Sequence, residues 1–424
     1  MSSPAAGVRQ QLHRWLDVVL LLVLALAVSP ASAQETPPAP PSEPLPPPND
    51  TPIARGYPVA GAAPSPLHIA ATGAALKRWD ILLRAGETWE SNPFFRPGDT
   101  ETTFAGLAGA EGSFSRFTPR SRFGARAGGD ITRYHSLERT YTGGNAGLDF
   151  SRRLSSKVRL ALADTAESRW ARDSALLVNS GLYYGTQRVF TNRANLQLGY
   201  QATPRTTLTI DARHEYVSFD TPAQADGRQA AATVMLGRQI TPRQTIGANY
   251  GYATSWSRGL RFDHHTAFGS WAGGLGQRWA AALAAGAIRS LSSGQWYPYA
   301  SAQLTGDFRT TKLYAQVSHG LSMAYGFGLE RESTIGSVGL AQRFGRRVLV
   351  SAAAGIDRST ALGGPVLTTR GANIGGNARF TLSRHFFLSA LGSYWRRETD
   401  AIPAIPDTLA SRVGLLLLYE RTPS

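Results

Sequence analysis

The chain of 424 residues contains no cysteine, and none of its apolar runs is long enough to cross a membrane as a helix. Without cysteine it has neither disulfides nor thiolate chemistry. A helical span needs about 20 consecutive apolar residues, whereas the one candidate, Val18 to Val28, is shorter. These absences exclude a membrane protein built from helices.

Residues 1–33 have the features of a signal peptide. Arg9 and Arg14 precede the apolar stretch, and Ala31-Ser32-Ala33 follows it as a small-residue cleavage site. An N-terminal membrane anchor is the alternative. Residues 34–78 are rich in proline and are predicted to be a disordered periplasmic segment, since such chains build neither helix nor sheet. Residues 79–424 are expected to form the folded domain.

Two kinds of connector alternate along this domain. Segments of alternating polarity, each about ten residues long or slightly longer, are joined first by a longer polar connector and then by a tight turn. Several tight turns are alike: Thr118-Pro119-Arg120-Ser121, Thr203-Pro204-Arg205-Thr206 and Thr241-Pro242-Arg243-Gln244. Long loops on one side and short turns on the other are typical of an outer-membrane β-barrel.

The segments between the connectors have the period-two pattern of strands. In Thr206–Phe219, polar and charged residues such as Asp211 and Arg213 alternate with apolar ones such as Ile210 and Ala212. A strand with one polar and one apolar face suits a wall between an aqueous lumen and lipid. We therefore expect the polar face to line a lumen.

Counting connectors predicts the number of strands. Short turns are predicted near 118–121, 154–157, 203–205, 241–244, 275–278, 309–311, 345–346 and 383–384, and long connectors near 93–101, 134–141, 170–190, 220–228, 258–263, 291–295, 324–331, 359–367 and 397–407. The predicted fold class is all-β, a transmembrane antiparallel up-and-down β-barrel of about 18 strands, with 16 as the fallback. It would lie in the outer membrane of a Gram-negative bacterium with both termini periplasmic, and would be wide enough for an aqueous channel.

A soluble propeller or sandwich is the alternative all-β interpretation. Its apolar faces would form a core rich in Val, Ile and Leu, whereas the apolar face here is rich in Ala, Gly and aromatic residues. A lipid-facing wall tolerates that composition, and interfacial girdles use aromatic rings. The aromatic residues assigned to this face are Tyr200, Tyr216, Tyr250, Tyr252, Trp256, Phe268, Trp271, Tyr394 and Tyr419.

Charged and amide side chains on the polar face are the candidate contacts for a permeant. They are Arg84, Arg122, Arg126, Asp130, Asp149, Arg159, Arg193, Asn195, Gln197, Asp211, Arg213, Glu215, Asn377, Arg379 and Arg412, and either Glu87 or Glu90 adds a further lumen carboxylate. One interpretation is a network of ion pairs that keeps the wall rigid and solvated. The other is a net-basic eyelet that favours anionic or polyhydroxylated permeants.

The formal net charge of +15 also bears on partners. The basic residues form no single block, which argues against a nucleic-acid partner. In a secreted barrel the charge indicates lipopolysaccharide phosphates, an anionic permeant or an acidic partner. Outer-membrane lipid and lipopolysaccharide are therefore expected partners.

No catalytic or metal centre is predicted, and no cofactor. His264 and His265 are adjacent on a strand and point to opposite faces, so they are poorly placed to chelate one metal. His319 lies beside Ser318 and near Ser322, but the parity is wrong for a Ser–His pair on one face. The chain is expected not to be an enzyme.

The segment Trp79–Phe95 resembles the opening strand of a family of outer-membrane β-barrel porin-like proteins, many of them encoded with exopolysaccharide systems. The family opens on an aromatic–Asp–(Ser/Asp)–Asn pattern, and this chain has Trp89-Glu90-Ser91-Asn92, with Glu in place of Asp. The chain departs from the usual terminal aromatic of such barrels, because Tyr419 is followed by residues 420–424.

The resemblance implies an outer-membrane pore for export of a secreted polysaccharide. Because the chain has no helical repeat scaffold, a separate periplasmic polysaccharide-export protein would hand over the polymer. The alternative is a general or anion-selective diffusion porin. A third hypothesis is a structural or adhesive barrel that binds through residues 170–190.

Overall fold

The computed structural model describes residues 76–93, 101–170, 187–221, 224–325, 328–362, 368–400 and 405–421. The chain folds there into eighteen strands: β1 (Leu76–Ser91), β2 (Thr102–Phe117), β3 (Ser121–Tyr134), β4 (Arg139–Arg153), β5 (Val158–Trp170), β6 (Arg188–Thr203), β7 (Thr206–Phe219), β8 (Gly227–Thr241), β9 (Gln244–Ser257), β10 (Leu260–Gly274), β11 (Trp279–Ser290), β12 (Trp296–Asp307), β13 (Thr311–Ala324), β14 (Leu329–Phe344), β15 (Val348–Ala361), β16 (Thr368–Thr381), β17 (Phe386–Asp400) and β18 (Ile405–Arg421). The predicted signal peptide and residues 34–75 of the proline-rich segment lie outside the described residues. No helix within the described ranges is long and apolar enough to cross a membrane.

The strands form one closed antiparallel sheet. Each strand pairs with the next along the chain, and β1 also pairs with β18, from Ile81 opposite Arg421 to Ser91 opposite Ser411. Closure leaves the sheet no free edge, so backbone groups are satisfied within the wall. The predicted fold class, an all-β antiparallel barrel of about 18 strands, is confirmed, and the fallback of 16 is not needed.

Connectors alternate between two rims, as the sequence predicts. The short-turn rim carries connectors 118–120, 154–157, 204–205, 242–243, 275–278, 308–310, 345–347 and 382–385, and the long-loop rim carries 92–101, 135–138, 171–187, 220–226, 258–259, 291–295, 325–328, 362–367 and 401–404. β1 begins and β18 ends at the short-turn rim. β1 begins at Leu76, three residues before the predicted start of the folded domain.

One predicted long connector is wrong. Instead of a loop over 258–263, the structure has a turn of two residues, Arg258 and Gly259, with φ of 51° and 73°. Positive φ at both central residues matches the twist of the flanking strands and makes the tightest hairpin connection. The polar residues Arg261 and Asp263 therefore belong to β10 rather than to a loop.

The Thr-Pro-Arg turns are built differently. Proline fixes φ near −65° and cannot adopt positive φ. Two of the three hairpins accommodate the strand twist through a register shift, one between Gln201 and Thr203 and one between Gln239 and Thr241. The third, at Pro119, keeps Phe117 and Arg122 in register. The Thr203 hydroxyl accepts the Arg205 backbone N–H at 3.3 Å. A recurring local motif thus closes the short-turn rim.

Large apolar side chains are exposed on the outer face of the wall. They include Trp79, Ile81, Leu83, Phe104, Leu148, Leu196, Val234, Leu236, Tyr250, Val338, Ile356, Ile374, Val413 and Leu415. In water such a surface would be an aggregation hazard, whereas on a closed barrel it matches an outward apolar band facing lipid. The wall therefore separates an apolar exterior from a polar interior.

Candidate functional site

The inner face of the barrel carries the polar side chains that alternate with the exposed apolar ones. Along β7, Ile210 and Tyr216 are exposed outside, while Asp211 and Glu215 lie largely buried on the opposite face. Every candidate permeant contact has the parity of this inner face: Arg84, Arg122, Arg126, Asp130, Asp149, Arg159, Arg193, Asn195, Gln197, Asp211, Arg213, Glu215, Asn377, Arg379 and Arg412. Their contact with a permeant stays a prediction.

Ion pairs on this face connect strands that are not hydrogen-bonded neighbours. Arg84 of β1 reaches Asp130 of β3 across β2, with Nη2 and Oδ1 3.2 Å apart. Arg379 of β16 reaches Glu420 of β18 across β17, at 2.5 Å. Both pairs lie on the face opposite the exposed apolar side chains such as Ile81 and Val413. The network therefore lines the inside of the curved wall.

The carboxylate of Glu90 is the most enclosed centre of this network. Its side chain is only 4% exposed and lies 2.9 Å from Nε of Arg412. The hydroxyls of Tyr134 and Thr88 both donate to it at 3.1 Å. Because a buried carboxylate needs a cation and donors around it, this cluster ties β1, β3 and β18 together near the long-loop rim.

A second cluster lies on β6 and β7. Arg193 Nε is 2.7 Å from Glu215, and Arg213 Nε is 2.6 Å from Asp211, which also accepts a hydrogen bond from the Asn195 amide at 3.0 Å. Each carboxylate is therefore matched by an arginine. This local balance agrees with the interpretation that lumen ion pairs stiffen the wall.

Positive and negative charges are not matched over the whole inner face. Among the described residues no carboxylate lies within ion-pair distance of Arg126 or Arg159, and both side chains are exposed to the lumen. Arg122 and Asp149 are 3.6 Å apart with both side chains about half exposed, so their charges are well solvated. The candidate residues thus include paired structural groups and uncompensated positive charge.

The inner face of β8 to β13 is chemically different. Charge there is limited, in the part of the chain described, to Asp307 and Lys312 at the short-turn rim and to the titratable His264. The rest is uncharged. It combines aromatic, amide and hydroxyl side chains with alanine, glycine and a few aliphatic residues, and Phe268 packs on Tyr299 with ring centroids 4.8 Å apart. An arginine-rich sector and a neutral aromatic sector therefore make up the lumen wall.

The end of the β13–β14 hairpin turns into the lumen. β13 pairs with β12 only up to His319, so that Gly320–Ala324 pairs with β14 alone. Met323, Ala324 and Tyr325 then pack into a buried cluster with Val189, Val217 and Phe219 of β6 and β7. We call residues 320–331 the inward hairpin.

Polar contacts hold the inward hairpin at its tip, through Tyr325, and on the strand that leads back from the tip, through Glu330. The Tyr325 hydroxyl donates to Glu215 at 3.4 Å, and its ring occupies the space that a Cβ at Gly227 would need. Glu330 accepts from the Ser290 hydroxyl at 3.2 Å and lies 3.8 Å from His264. Since Ser290 and His264 are inner-face residues, the hairpin passes inside β10 and β11 and narrows the lumen.

Sequence reasoning missed this hairpin and assigned residues 324–331 to an ordinary long loop. The available signal was composition, since Met323 and Tyr325 are apolar or aromatic residues at the tip of a connector. Nothing in the local pattern identifies their partners, because Val189 and Val217 lie more than a hundred positions away in the chain. The contact exists only once the barrel has closed.

One smaller prediction is corrected and one is resolved. Phe268 lies on the inner face rather than on the lipid-facing side, because it is three residues from Trp271, which faces outward, and residues an odd number of positions apart on a strand point to opposite faces. Glu90 is the lumen carboxylate, whereas Glu87 is on the outer wall with its side chain 69% exposed. The other assigned aromatic residues have outer-face parity.

The histidines form no metal site within the described ranges, where no group of three or more potential ligands occurs. His264 points inward toward Glu330, and His265 points outward, where Nδ1 lies 2.6 Å from the Tyr250 hydroxyl. His319 lies on the outer face with Thr334 and Glu332, at 2.8 and 3.1 Å, opposite in parity to Ser318 and Ser322.

A closed strand barrel with an apolar outer wall and a polar lumen is a membrane β-barrel of porin-like architecture. No family model and no curated protein matches the chain. Among solved structures it is similar to OpdO of Pseudomonas aeruginosa (12% identity, 82% of this chain and 98% of that one, TM-score 0.44) and to OccAB4 of Acinetobacter baumannii (11%, 82% and 98%, TM-score 0.43). It is also similar to the siderophore receptor PirA of Pseudomonas aeruginosa (8%, 81% and 80%, TM-score 0.41).

Proposed function

We propose that the protein is an outer-membrane channel for the diffusion of small hydrophilic solutes. The observation that carries this proposal is a polar lumen, enclosed by an apolar wall and narrowed by the inward hairpin. Barrels of 16 to 18 strands leave an aqueous channel. A hairpin packed across part of that channel sets an upper limit on the size of what passes.

The connectors support one orientation of the barrel. In outer-membrane barrels the longer loops are extracellular and the short turns periplasmic, so both strand termini, at Leu76 and Arg421, would lie on the periplasmic side. The inward hairpin belongs to the long-loop rim. A solute from outside would therefore meet the narrow part before it reaches most of the lumen.

The charge on the inner face favours anions. Paired groups such as Arg193 and Glu215 cancel locally, whereas Arg126 and Arg159 do not. Uncompensated arginines in a confined lumen raise the local concentration of anions, and added salt screens this effect. We infer a modest anion preference rather than strict selectivity.

Reconstituted liposomes test the proposal. Liposomes that contain the purified protein should swell in solutions of small neutral sugars, and the swelling rate should fall steeply as the sugar becomes larger. Liposomes with heat-denatured protein serve as the control. Absence of swelling with even the smallest sugar would contradict a diffusion channel.

Export of a polysaccharide is the second candidate. The supporting observation is the neutral sector with Phe268, Tyr299 and Tyr314 on the inner face, since aromatic rings offer stacking surfaces to sugar rings. Against it, a polymer would have to pass the inward hairpin. Loss of surface polysaccharide in a deletion strain, with precursor retained in the periplasm, would favour export, and normal surface polymer would exclude it.

A further inference from the structure

We propose that the outer wall binds the phosphates of lipid A at an arginine–tryptophan patch on the long-loop rim, formed by Arg228, Trp256, Arg261, Arg289 and Trp296. The proposal rests on the proposed membrane orientation, in which this rim lies in the outer leaflet. All five residues have outer-face parity on β8 to β12. None of them contributes to the lumen.

The patch is arranged in a row across neighbouring strands. Trp256 of β9 is directly opposite Arg228 of β8 and Arg261 of β10. The two guanidinium carbons lie 4.8 and 5.8 Å from its ring centroid. One indole therefore holds two arginines by cation–π contact, which keeps their charges side by side.

A second pair extends the row. Arg289 of β11 is opposite Trp296 of β12, with its guanidinium carbon 5.7 Å from the ring centroid. Trp296 is 64% exposed, which is unusual for an indole unless it faces an interface rather than bulk water. Three arginines and two tryptophans thus follow one another around this part of the rim.

The height of the patch matches a membrane interface. Along β8 the outward side chains run from Arg228 through Ala230, Ala232, Val234 and Leu236 to Arg238. Strand residues rise about 3.3 Å each, and a tilt of roughly 40° reduces the ten steps to about 25 Å, the height of the apolar band in such barrels. Arg228 therefore lies where lipid headgroups begin.

The patch carries an excess of positive charge. Two carboxylates lie near its three arginines in the described part of the wall. Asp263 is 2.9 Å from Arg261 and also accepts from the Tyr252 hydroxyl at 2.8 Å. Asp226 accepts from the Ser218 hydroxyl at 3.2 Å and from the Phe219 backbone N–H at 2.8 Å, and forms no ion pair with Arg228. Arg228 and Arg289 have no acidic partner among the described residues. Guanidinium groups bind phosphate oxygens bidentately, so phosphate is the anion that these arginines fit.

Lipid A combines the two chemistries that the patch offers to a ligand. Its phosphorylated sugar headgroup would contact the arginines and stack on the indoles, while its acyl chains would continue along the apolar wall below, at Tyr250 and Val234. A phospholipid with a single phosphodiester offers less charge at this height. The continuity of the basic row with the apolar band therefore favours lipid A.

Native mass spectrometry of the detergent-purified full-length protein tests the proposal. Wild type should form adducts with lipid A, and much weaker ones with enzymatically dephosphorylated lipid A or with phosphatidylglycerol. The variant R228Q/R261Q/R289Q should bind lipid A at least roughly tenfold more weakly. A matched control is R358Q/R370Q/R396Q, which removes the same charge from the outer face of the same rim, where Arg370 and Arg396 are already paired with Asp400 and Glu398. It should bind as wild type does.

Equal binding of lipid A by wild type and by the patch variant would overturn the proposal. Equal binding of the phosphorylated and dephosphorylated lipids by wild type would also overturn it, and that comparison needs no variant to fold. Conductance in planar bilayers separates the two proposals, because the patch variant should conduct as wild type does. A wild-type protein that binds lipid A but does not conduct would contradict the channel and leave the lipid site intact.

Discussion

At the scale of the residue, the enclosed carboxylate of Glu90 is predicted to stabilise the wall more than exposed lumen pairs do. Glu90→Gln removes the charge that compensates Arg412 and weakens the hydrogen bond from Tyr134. A hydrogen bond to a buried charged group contributes about 1.5–3 kcal/mol. We expect a loss of about 2 kcal/mol in the free energy of unfolding, measured from urea-induced unfolding in detergent micelles.

Asp149→Asn is the matched control for that measurement. Asp149 lies 3.6 Å from Arg122, and both side chains are about half exposed. Solvated pairs of this kind contribute about 0–1 kcal/mol, so the unfolding midpoint should hardly move. Equal losses in the two variants would contradict the distinction between enclosed and solvated lumen pairs.

Glycine is required at Gly339 by a neighbouring ring. Gly339 is directly opposite Tyr314, and a Cβ there would overlap the Tyr314 side chain. Overpacking of this kind costs about 1–3 kcal/mol, so Gly339→Ala should lower the unfolding midpoint. Gly112→Ala is the control, because no atom lies within 4 Å of the added methyl. Equal effects of the two substitutions would contradict the packing role.

At the scale of the element, most strands could be predicted from the sequence because each obeys a local rule. Period two identifies β7, and Pro204-Arg205 marks its turn without reference to any other part of the chain. The inward hairpin could not be predicted in this way. Its partners Val189 and Val217 are remote in sequence, and the same residues would suit an ordinary pair of wall strands.

The two-residue turn at Arg258 and Gly259 could not be predicted from the sequence for a different reason. Arginine is an uncommon residue at positive φ, and the polar residues that follow, such as Asp263, resemble a loop. The error placed the start of β10 too late. The wrong side for Phe268 has another cause, since Phe268 and Trp271 are three residues apart and cannot share a face of one strand. Residues can therefore be assigned to one face of a strand only when they are an even number of positions apart.

The inward hairpin should respond to changes at its tip. Tyr325→Ala removes a ring that packs on Gly227 and a hydroxyl that donates to Glu215. Truncation of a buried aromatic residue costs about 3 kcal/mol or more, so the tip should detach intermittently. We expect larger current fluctuations in single-channel recordings.

Tyr325→Phe is the control for the tip. It keeps the ring and loses a single hydrogen bond, a change of about 1 kcal/mol. Its current should remain as steady as that of wild type. If the single-channel current of the alanine variant fluctuated no more than that of wild type, the tip would not be held by the Tyr325 ring.

At the scale of the whole molecule, the net charge of +15 includes arginines on both faces of the described wall. Some of these, such as Arg228 and Arg289, lie on the outer face, and others, such as Arg126 and Arg159, lie on the inner face without an ion-pair partner among the described residues. Only the inner-face arginines act on a permeant. The total charge therefore predicts selectivity poorly unless the parity of each strand is known.

Removal of the uncompensated lumen charge should lower the anion preference. R126Q/R159Q is expected to shift the reversal potential in a potassium chloride gradient toward that of a non-selective pore, and the shift should shrink in high salt because mobile ions screen the lumen. Arg238→Gln, on the outer wall, should leave the reversal potential unchanged. An unchanged potential in the lumen variant would contradict the assignment of these arginines.

The most direct test of the account compares the single-channel conductance of wild type with that of a variant in which residues 321–332 are replaced by an Asn-Gly turn. Gly320 and Ser333 are directly opposite each other, so the two-residue turn can close the shortened hairpin. We expect discrete conductance steps for wild type and larger steps for the variant. Equal conductance would contradict the hairpin as the constriction, and no conductance from correctly folded wild-type barrels would contradict the channel itself.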